Sequence, residues 1–221
     1  MGYALSPTIS FTILDWRAIF LDLARDRYFC LARDQQDALN TLLDGASPTT
    51  AEQETLAPLV TSGILRQVEG QDRLMACTTT TPPTESLIDR RLPKARPWQV
   101  AAASAHLLSA RTALRSRPLC PLLEQLRRRK LSLTPADFLS ERLLTVASAF
   151  EATSLLFAPL RQCLPRSLAM AHRLCSLGVS FDLVIGVATN PFSAHCWLQH
   201  GNLVINDRLE KVCGYAPVLI L

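Results

Sequence analysis

The chain has 221 residues, enough for one large domain or two small ones with a real hydrophobic core. Apolar residues make up 48% and charged residues 19%, which excludes a disordered chain. The net charge of +4 is mild, and no basic stripe interleaved with aromatics appears, so nucleic acid is not the expected partner.

No apolar run approaches the roughly 20 residues needed to cross a bilayer, so no membrane span is expected. The start MGYALSPTIS lacks a charged n-region and a long apolar h-region. The seven cysteines are odd in number and follow no close repeat. Free thiols in a reducing cytoplasm are the expectation, not a disulfide framework.

Residues 1–77 read as a small unit. Ile9–Leu14, Ala18–Leu23 and Tyr28–Leu31 have strand character, the last following the polar turn Arg25-Asp26-Arg27. Gln35–Leu43 carries Ala38, Leu39, Leu42 and Leu43 on one helix face, with Gly45 as a stop. Thr50 with Gln53 suggests a capping box for a second helix, striped by Leu56, Leu59 and Val60. Pro58 predicts a kink or restart within it, and Gly63 a C-cap. Ile64–Val68 with Arg73–Cys77 reads as a closing hairpin around Gly70. Strands, helices and then a hairpin outline a winged-helix-like module.

Residues 78–97 are rich in threonine, proline and basic residues, and read as a linker. Residues 98–160 read as helical. Trp98, Ala101, Ala102, Ala105 and Leu108 share a face expected to be core. Thr134-Pro135 is a good helix start, with the stripe running through Phe138, Leu139, Leu143, Val146, Ala147 and Phe150 to a stop at Pro159. The basic tracts Arg127–Lys130 and Arg90–Arg96 read as a solvated helix end and part of the linker.

From residue 163 the pattern changes. Pro165–Leu177 predicts a helix stopping at Gly178. Phe181–Val187, Ala194–Gln199 and Leu203–Asn206 predict three strands. Helices followed by an antiparallel sheet make this half α+β. The final APVLIL reads as an edge strand or docked tail.

The chemistry concentrates there. Cys163, His195 and Asp207 supply a thiol nucleophile, a base and a carboxylate to orient it, the parts of a covalent acyl-transfer site. Leu164 precedes a proline and Pro165 fits a first helical turn, so Cys163 belongs at or just before a helix N-terminus, where N–H groups favour a thiolate. Arg166 is close enough in sequence to add positive potential. A lone free cysteine is more often an inert core residue, so Cys163 draws its interest from the other two.

If His200-Gly201-Asn202 is a three-residue hairpin loop, Gln199 faces Leu203, Trp197 faces Ile205 and His195 faces Asp207. Opposed residues hold their Cβ atoms roughly 4.5–5.5 Å apart. A loop of another length by one residue would send the two side chains to opposite faces. His200 sits at the expected turn, His172 is too far along the helix to reach the thiol, and His106 has no visible partner. Cys163, His195, Cys196, His200 and Cys213 lack the paired spacing of zinc ligands, so no metal site is expected.

The blocks CLPRSLAM, LVIGV, NPFSAHCWLQ and LVIND resemble the lasso-peptide biosynthesis B-protein family, transglutaminase-like (papain-type) leader peptidases, over roughly residues 150–210. The N-terminal 77 residues look like the peptide-recognition element often fused to such peptidases. The resemblance implies an α+β fold: a winged-helix-like leader-recognition module at 1–77, a linker at 78–97, and a transglutaminase-like cysteine peptidase domain at 98–221. It implies a triad of Cys163, His195 and Asp207 with no cofactor. It also implies a precursor peptide as substrate and an asparagine-synthetase-like lasso cyclase as partner. The leader would add as a strand along Tyr28, Phe29, Cys30 and Leu31. Family members often carry a basic residue where this chain has Ala188 and glutamate where it has Gln199. Gln162, just before the thiol, is a candidate oxyanion donor beside the Cys163 N–H.

Two other classes fit parts of the pattern. A transglutaminase-like acyl transferase would use the same triad with an amine as acceptor. A non-catalytic peptide-binding protein or winged-helix regulator would leave the thiol idle. The regulator needs a basic recognition helix, and the candidate at 51–62 carries Glu52 and Glu54 but neither Lys nor Arg.

Overall fold

Alternating apolar residues from Ile9 onward build a three-stranded antiparallel meander of β2 (Ile9–Leu14), β3 (Arg17–Asp22) and β4 (Arg27–Cys30), preceded by β1 (Gly2–Leu5). In this computed structural model the described residues are 2–69, 74–78, 81–132, 141–154 and 163–221. They fall into two compact units, Met1–Thr78 and Thr79–Leu221. The expected helix start at Thr134-Pro135 with Phe138 and Leu139, the stop at Pro159, Gln162, Gly70 and Arg73 lie outside the described residues.

In the first unit, Phe11, Phe20 and Phe29 occupy matching register positions on β2, β3 and β4. Their rings stack with centroids 5.2 and 5.1 Å apart, a cross-strand aromatic row that ties the meander together. Helices α1 (Arg33–Leu43) and α2 (Thr50–Thr61) follow, burying Leu39, Leu56 and Leu59 in the same core. The cap of α2 lies one residue earlier than expected. Thr49 accepts from the Glu52 N–H, and the Glu52 carboxylate accepts from the Thr49 N–H at 2.8 Å. Pro58 does not break α2, because it lies on the exposed face where water can satisfy the carbonyl it leaves unpaired.

The expected closing hairpin is not the pairing formed by the described residues. β5 (Leu65–Val68) pairs antiparallel with β1, a strand the sequence pattern had not indicated. The Cys77 N–H bonds the Phe11 carbonyl at 2.7 Å, bringing residues 74–78 back beside β2. β4 therefore forms the other edge of the meander.

In the second unit, residues expected as a spacer join the fold. β6 (Glu85–Ser86) runs parallel to β9, and Leu87 is fully buried. A single buried leucine contributes roughly 1.5–3 kcal/mol, enough to anchor a short strand that propensity would not predict. Helices α3 (Pro97–Ser116), α4 (Leu119–Leu131), α5 (Glu141–Thr153) and α6 (Cys163–Ser176) follow. α3 buries Ala103, Leu107 and Ala110, not the expected stripe, and Trp98 and Leu108 are exposed. Alanines lie on several sides of this helix and give little apolar contrast, so spacing alone misjudged which face turns inward. The Arg127–Lys130 tract does end α4, where cations suit the helix dipole.

The sheet is ordered β10-β7-β8-β9-β6, from β7 (Asp182–Thr189), β8 (Phe192–His200), β9 (Leu203–Val204) and β10 (Ala216–Ile220), with the short helix α7 (Leu209–Val212) before β10. α6 packs against β8, α3 and α5. The fold is mixed α and β.

Candidate active site

Cys163 is the first described residue of α6, and Leu164 and Pro165 are both helical. The N–H groups of Leu164 and Cys196 donate to the Cys163 sulfur, and the thiol also hydrogen-bonds the His195 side chain.

His195 sits on β8 with 4% of its surface exposed. Its Nε2 lies 2.7 Å from Oδ2 of Asp207, which leaves Nδ1 for the thiol. Its ring lies 5.1 Å from that of Tyr215 and 6.1 Å from that of Trp197, so its apolar faces are covered. Gly186 is the cross-strand partner of His195. A Cβ at Gly186 would stand 2.7 Å from the Trp197 ring and 2.9 Å from Tyr215, so only glycine lets those rings close around the imidazole.

The hairpin register differs from the expected one. Gln199 pairs with Val204 and His200 with Leu203, around a two-residue loop of Gly201 and Asn202. Gly201 has φ of 57°, which a short hairpin turn demands of its first residue and glycine supplies without strain. Continued in that register, Asp207 would oppose Cys196 and point away from His195. The ladder stops first. Ile205 N–H donates to the Leu198 carbonyl at 2.8 Å, but the Leu198 N–H goes to the Asn206 side-chain Oδ1, also at 2.8 Å. A side chain thus replaces the next main-chain acceptor, the chain bends, and Asp207 swings round to His195.

Asp207 is held from several sides. Ser86 Oγ donates to its carbonyl at 2.6 Å, the Arg208 N–H to Oδ1 at 2.9 Å, and Lys211 Nζ to Oδ2 at 3.1 Å. Sequence reasoning missed Ser86 entirely, since it lies in the segment read as linker.

The electrostatics follow from these contacts. Burial by itself would raise the Cys163 thiol. Hydrogen bonding and charge from His195, with the two N–H groups, outweigh it and bring the thiol below its ordinary value. Burial pulls His195 down, yet the bonds to Asp207 and Cys163 outweigh it, with Lys211 opposing, and the imidazole ends above its ordinary value. Burial pushes Asp207 up, but the His195 bond, the Arg208 N–H and the nearby positive charges bring it to about 2. All three directions favour a thiolate, an imidazolium and a carboxylate in a row.

Arg166 does not face the thiol as expected. It reaches Glu151 on α5 at 2.5 Å and Ser154 at 2.9 Å, so its charge is spent there. His172 accepts from Arg129 at 3.2 Å, and His200 contacts the Ser180 carbonyl. Gln199 is buried. It accepts from the Trp197 indole at 3.1 Å and donates to the Thr81 and Gly201 carbonyls, so it braces the hairpin. In the first unit, Tyr28, Phe29 and Cys30 lie on the edge strand β4, with Cys30 exposed. Leu31 follows the strand and packs into the core instead.

Residues 104–220 match the family model of the transglutaminase-like superfamily, and they contain the thiol, the imidazole and the carboxylate. The chain belongs to the transglutaminase-like superfamily. Members of this superfamily are commonly cysteine peptidases or acyl transferases. The chain is also similar to the microcin J25-processing protein McjB of Escherichia coli, 47% identical over 45 residues. That match covers 20% of this transglutaminase-like chain and 22% of the relative, so about a fifth of McjB is spanned. No solved structure matches significantly. No helix among the described residues is long and apolar enough to cross a membrane.

Proposed function

We propose that this protein is a cysteine peptidase that removes the leader from a ribosomally made lasso-peptide precursor. The observation that carries the reading is the contact row from Cys163 on α6 through His195 to Asp207. The thiolate attacks the scissile carbonyl. His195 protonates the leaving amine and then activates water against the thioester, while Asp207 fixes the tautomer and steadies the imidazolium. The Cys163 backbone N–H is a donor for the oxyanion.

The partial similarity to McjB supports a peptide-processing role, and with it the precursor as substrate and a lasso cyclase as partner. The strands-then-helices order of the first unit supports a winged-helix-like leader-recognition module, with the leader adding along β4. Carrying both units on one chain raises the effective concentration of the scissile bond at the thiol.

Incubating the protein with the precursor encoded beside its gene, read by mass spectrometry, tests the reading. Wild type should release free leader and Cys163→Ala should not. Intact precursor with both, under conditions where leader binding is demonstrated, overturns it. A product heavier by an added amine marks the acyl-transferase alternative.

A further inference from the structure

The break in the β8–β9 ladder leaves one stretch of β8 without a strand partner on that side. Cys196 sits there, and α6 takes up its peptide groups. Its N–H donates to the Cys163 sulfur, and its carbonyl accepts from Ser167 Oγ at 2.9 Å. Ser167 is one turn beyond Cys163 on α6 and is fully buried. Asn206 completes the set. Its Nδ2 donates to Ser167 Oγ at 2.9 Å while its Oδ1 accepts from the Leu198 N–H. Asn206 is itself 5% exposed, and it immediately precedes Asp207.

Each bond in this set has a defined direction. Asn206 Nδ2 donates to Ser167, which frees the Ser167 hydroxyl proton for the Cys196 carbonyl. That fixes the plane of the strand at Cys196, whose N–H then points at the sulfur. Every polar atom of the Asn206 side chain that faces the protein is used, as a buried amide requires.

We propose that Asn206 and Ser167 are positioning residues for the nucleophile, an Asn206–Ser167–Cys196 relay that ends the β8–β9 ladder and clamps α6 to the strand carrying the base. One residue then serves both arms of the site. Asn206 turns the chain so that Asp207 meets His195, and through Ser167 it docks the helix that bears Cys163. Neither side chain touches the sulfur or the imidazole, so both act through others. The inference rests on the peptidase reading for its consequence, but its geometry is independent of substrate.

Among the described residues, the titratable and charged groups around Cys163 are His195 with Asp207 and Lys211 behind it, the Cys196 thiol, and the Arg166–Glu151 pair between α6 and α5. Substitution removes none of these groups, but Ser167 also bonds the Cys196 thiol and Asn206 sets the approach of Asp207, so the relay is read from a shift in the same direction at both positions.

The test is alkylation of the full chain by iodoacetamide from pH 4 to 9, with Cys163 labelling quantified by peptide mass spectrometry. Asn206→Ala should raise the midpoint of Cys163 labelling by about one pH unit, a roughly tenfold loss of thiolate on the acid side. Ser167→Ala should move it the same way. Asn206→Ser, which is neutral and loses the amide donor to Ser167, covers the case in which the alanine variant does not fold, and should also raise it. Ser148→Ala removes another buried serine bond, to the Pro93 carbonyl, and should lower the melting temperature without moving the midpoint. With precursor as substrate, kcat should fall and KM should hold for the relay variants. Folded relay variants with an unchanged midpoint, or an equal shift in Ser148→Ala, overturn the relay. Wild-type Cys163 labelling no faster than the other six thiols overturns the peptidase reading instead.

Discussion

Asp207 reaches to 2.7 Å from His195 although the register of the hairpin carrying them would set it opposite Cys196. The contact exists because the strand ends early and a side-chain amide closes its last hydrogen bond. A carboxylate brought in this way holds the imidazole by one oxygen while Lys211 and the Arg208 N–H hold the rest of it.

Asp207→Asn tests that contact most directly. It preserves size but accepts more weakly at Nε2 and no longer stabilises the imidazolium, so kcat on the precursor should fall by roughly 10²–10⁴-fold. KM should change little, because Asp207 lies behind the base. A variant retaining more than a tenth of wild-type kcat would remove Asp207 from the mechanism.

The pH profile follows from the two opposed shifts. Cys163 titrates below the ordinary thiol value, so the thiolate is present above that lowered pKa and is lost as pH falls through it. His195 titrates above the ordinary histidine value, so the imidazolium is lost only as pH rises through that raised pKa. Cleavage should therefore be bell-shaped, with its rising limb below the ordinary thiol range and its falling limb above the ordinary histidine range. Stopped assays across pH 4–10 decide it, and a single rise with a midpoint in the ordinary thiol range contradicts the ion pair.

Gly186→Ala probes the aromatic wall. The new methyl would press on Trp197 and Tyr215, an overpacking cost of about 1–3 kcal/mol. Urea unfolding should show that loss, and activity should drop further than stability alone explains, since the same rings flank His195. Full stability in the alanine variant would mean that the rings relax freely.

Strand addition at β4 makes a periodic prediction. Main-chain bonds to an edge strand use alternate residues of the incoming peptide. N-methylation of successive leader positions should weaken binding at every second residue, read by anisotropy of a labelled leader. Uniform tolerance to N-methylation would rule out pairing through the leader's backbone.

Much of the site was legible in the residues, and the reasons are local. Pro165 and the apolar spacing after it marked out the helix that carries Cys163, because proline and helical periodicity act over a turn or two. The meander was legible for the same reason, through alternation in Ile9–Leu14 and its neighbours. Short-range ambiguity explains the near misses. The spacing of Thr50 and Gln53 pointed to Thr50 as the α2 cap, and the Glu52 contact shows that its neighbour Thr49 fills that place. The row of alanines after Trp98 offered no contrast by which to orient α3.

Other features depended on residues far apart in the chain. β6 exists because Leu87 finds a cavity to fill and Ser86 finds the Asp207 carbonyl, 121 residues away. The hairpin loop of two residues instead of three depended on which side-chain acceptor would end the ladder.

The sequence by itself determined which groups can do chemistry, a thiol on a helix with a histidine and an aspartate in the segments beyond it. Only the tertiary structure decided that they meet. Residue type and local propensity act over a few positions. The approach of Asp207 to His195 depends on a buried amide, Asn206, satisfying Leu198 and Ser167 at once across two elements.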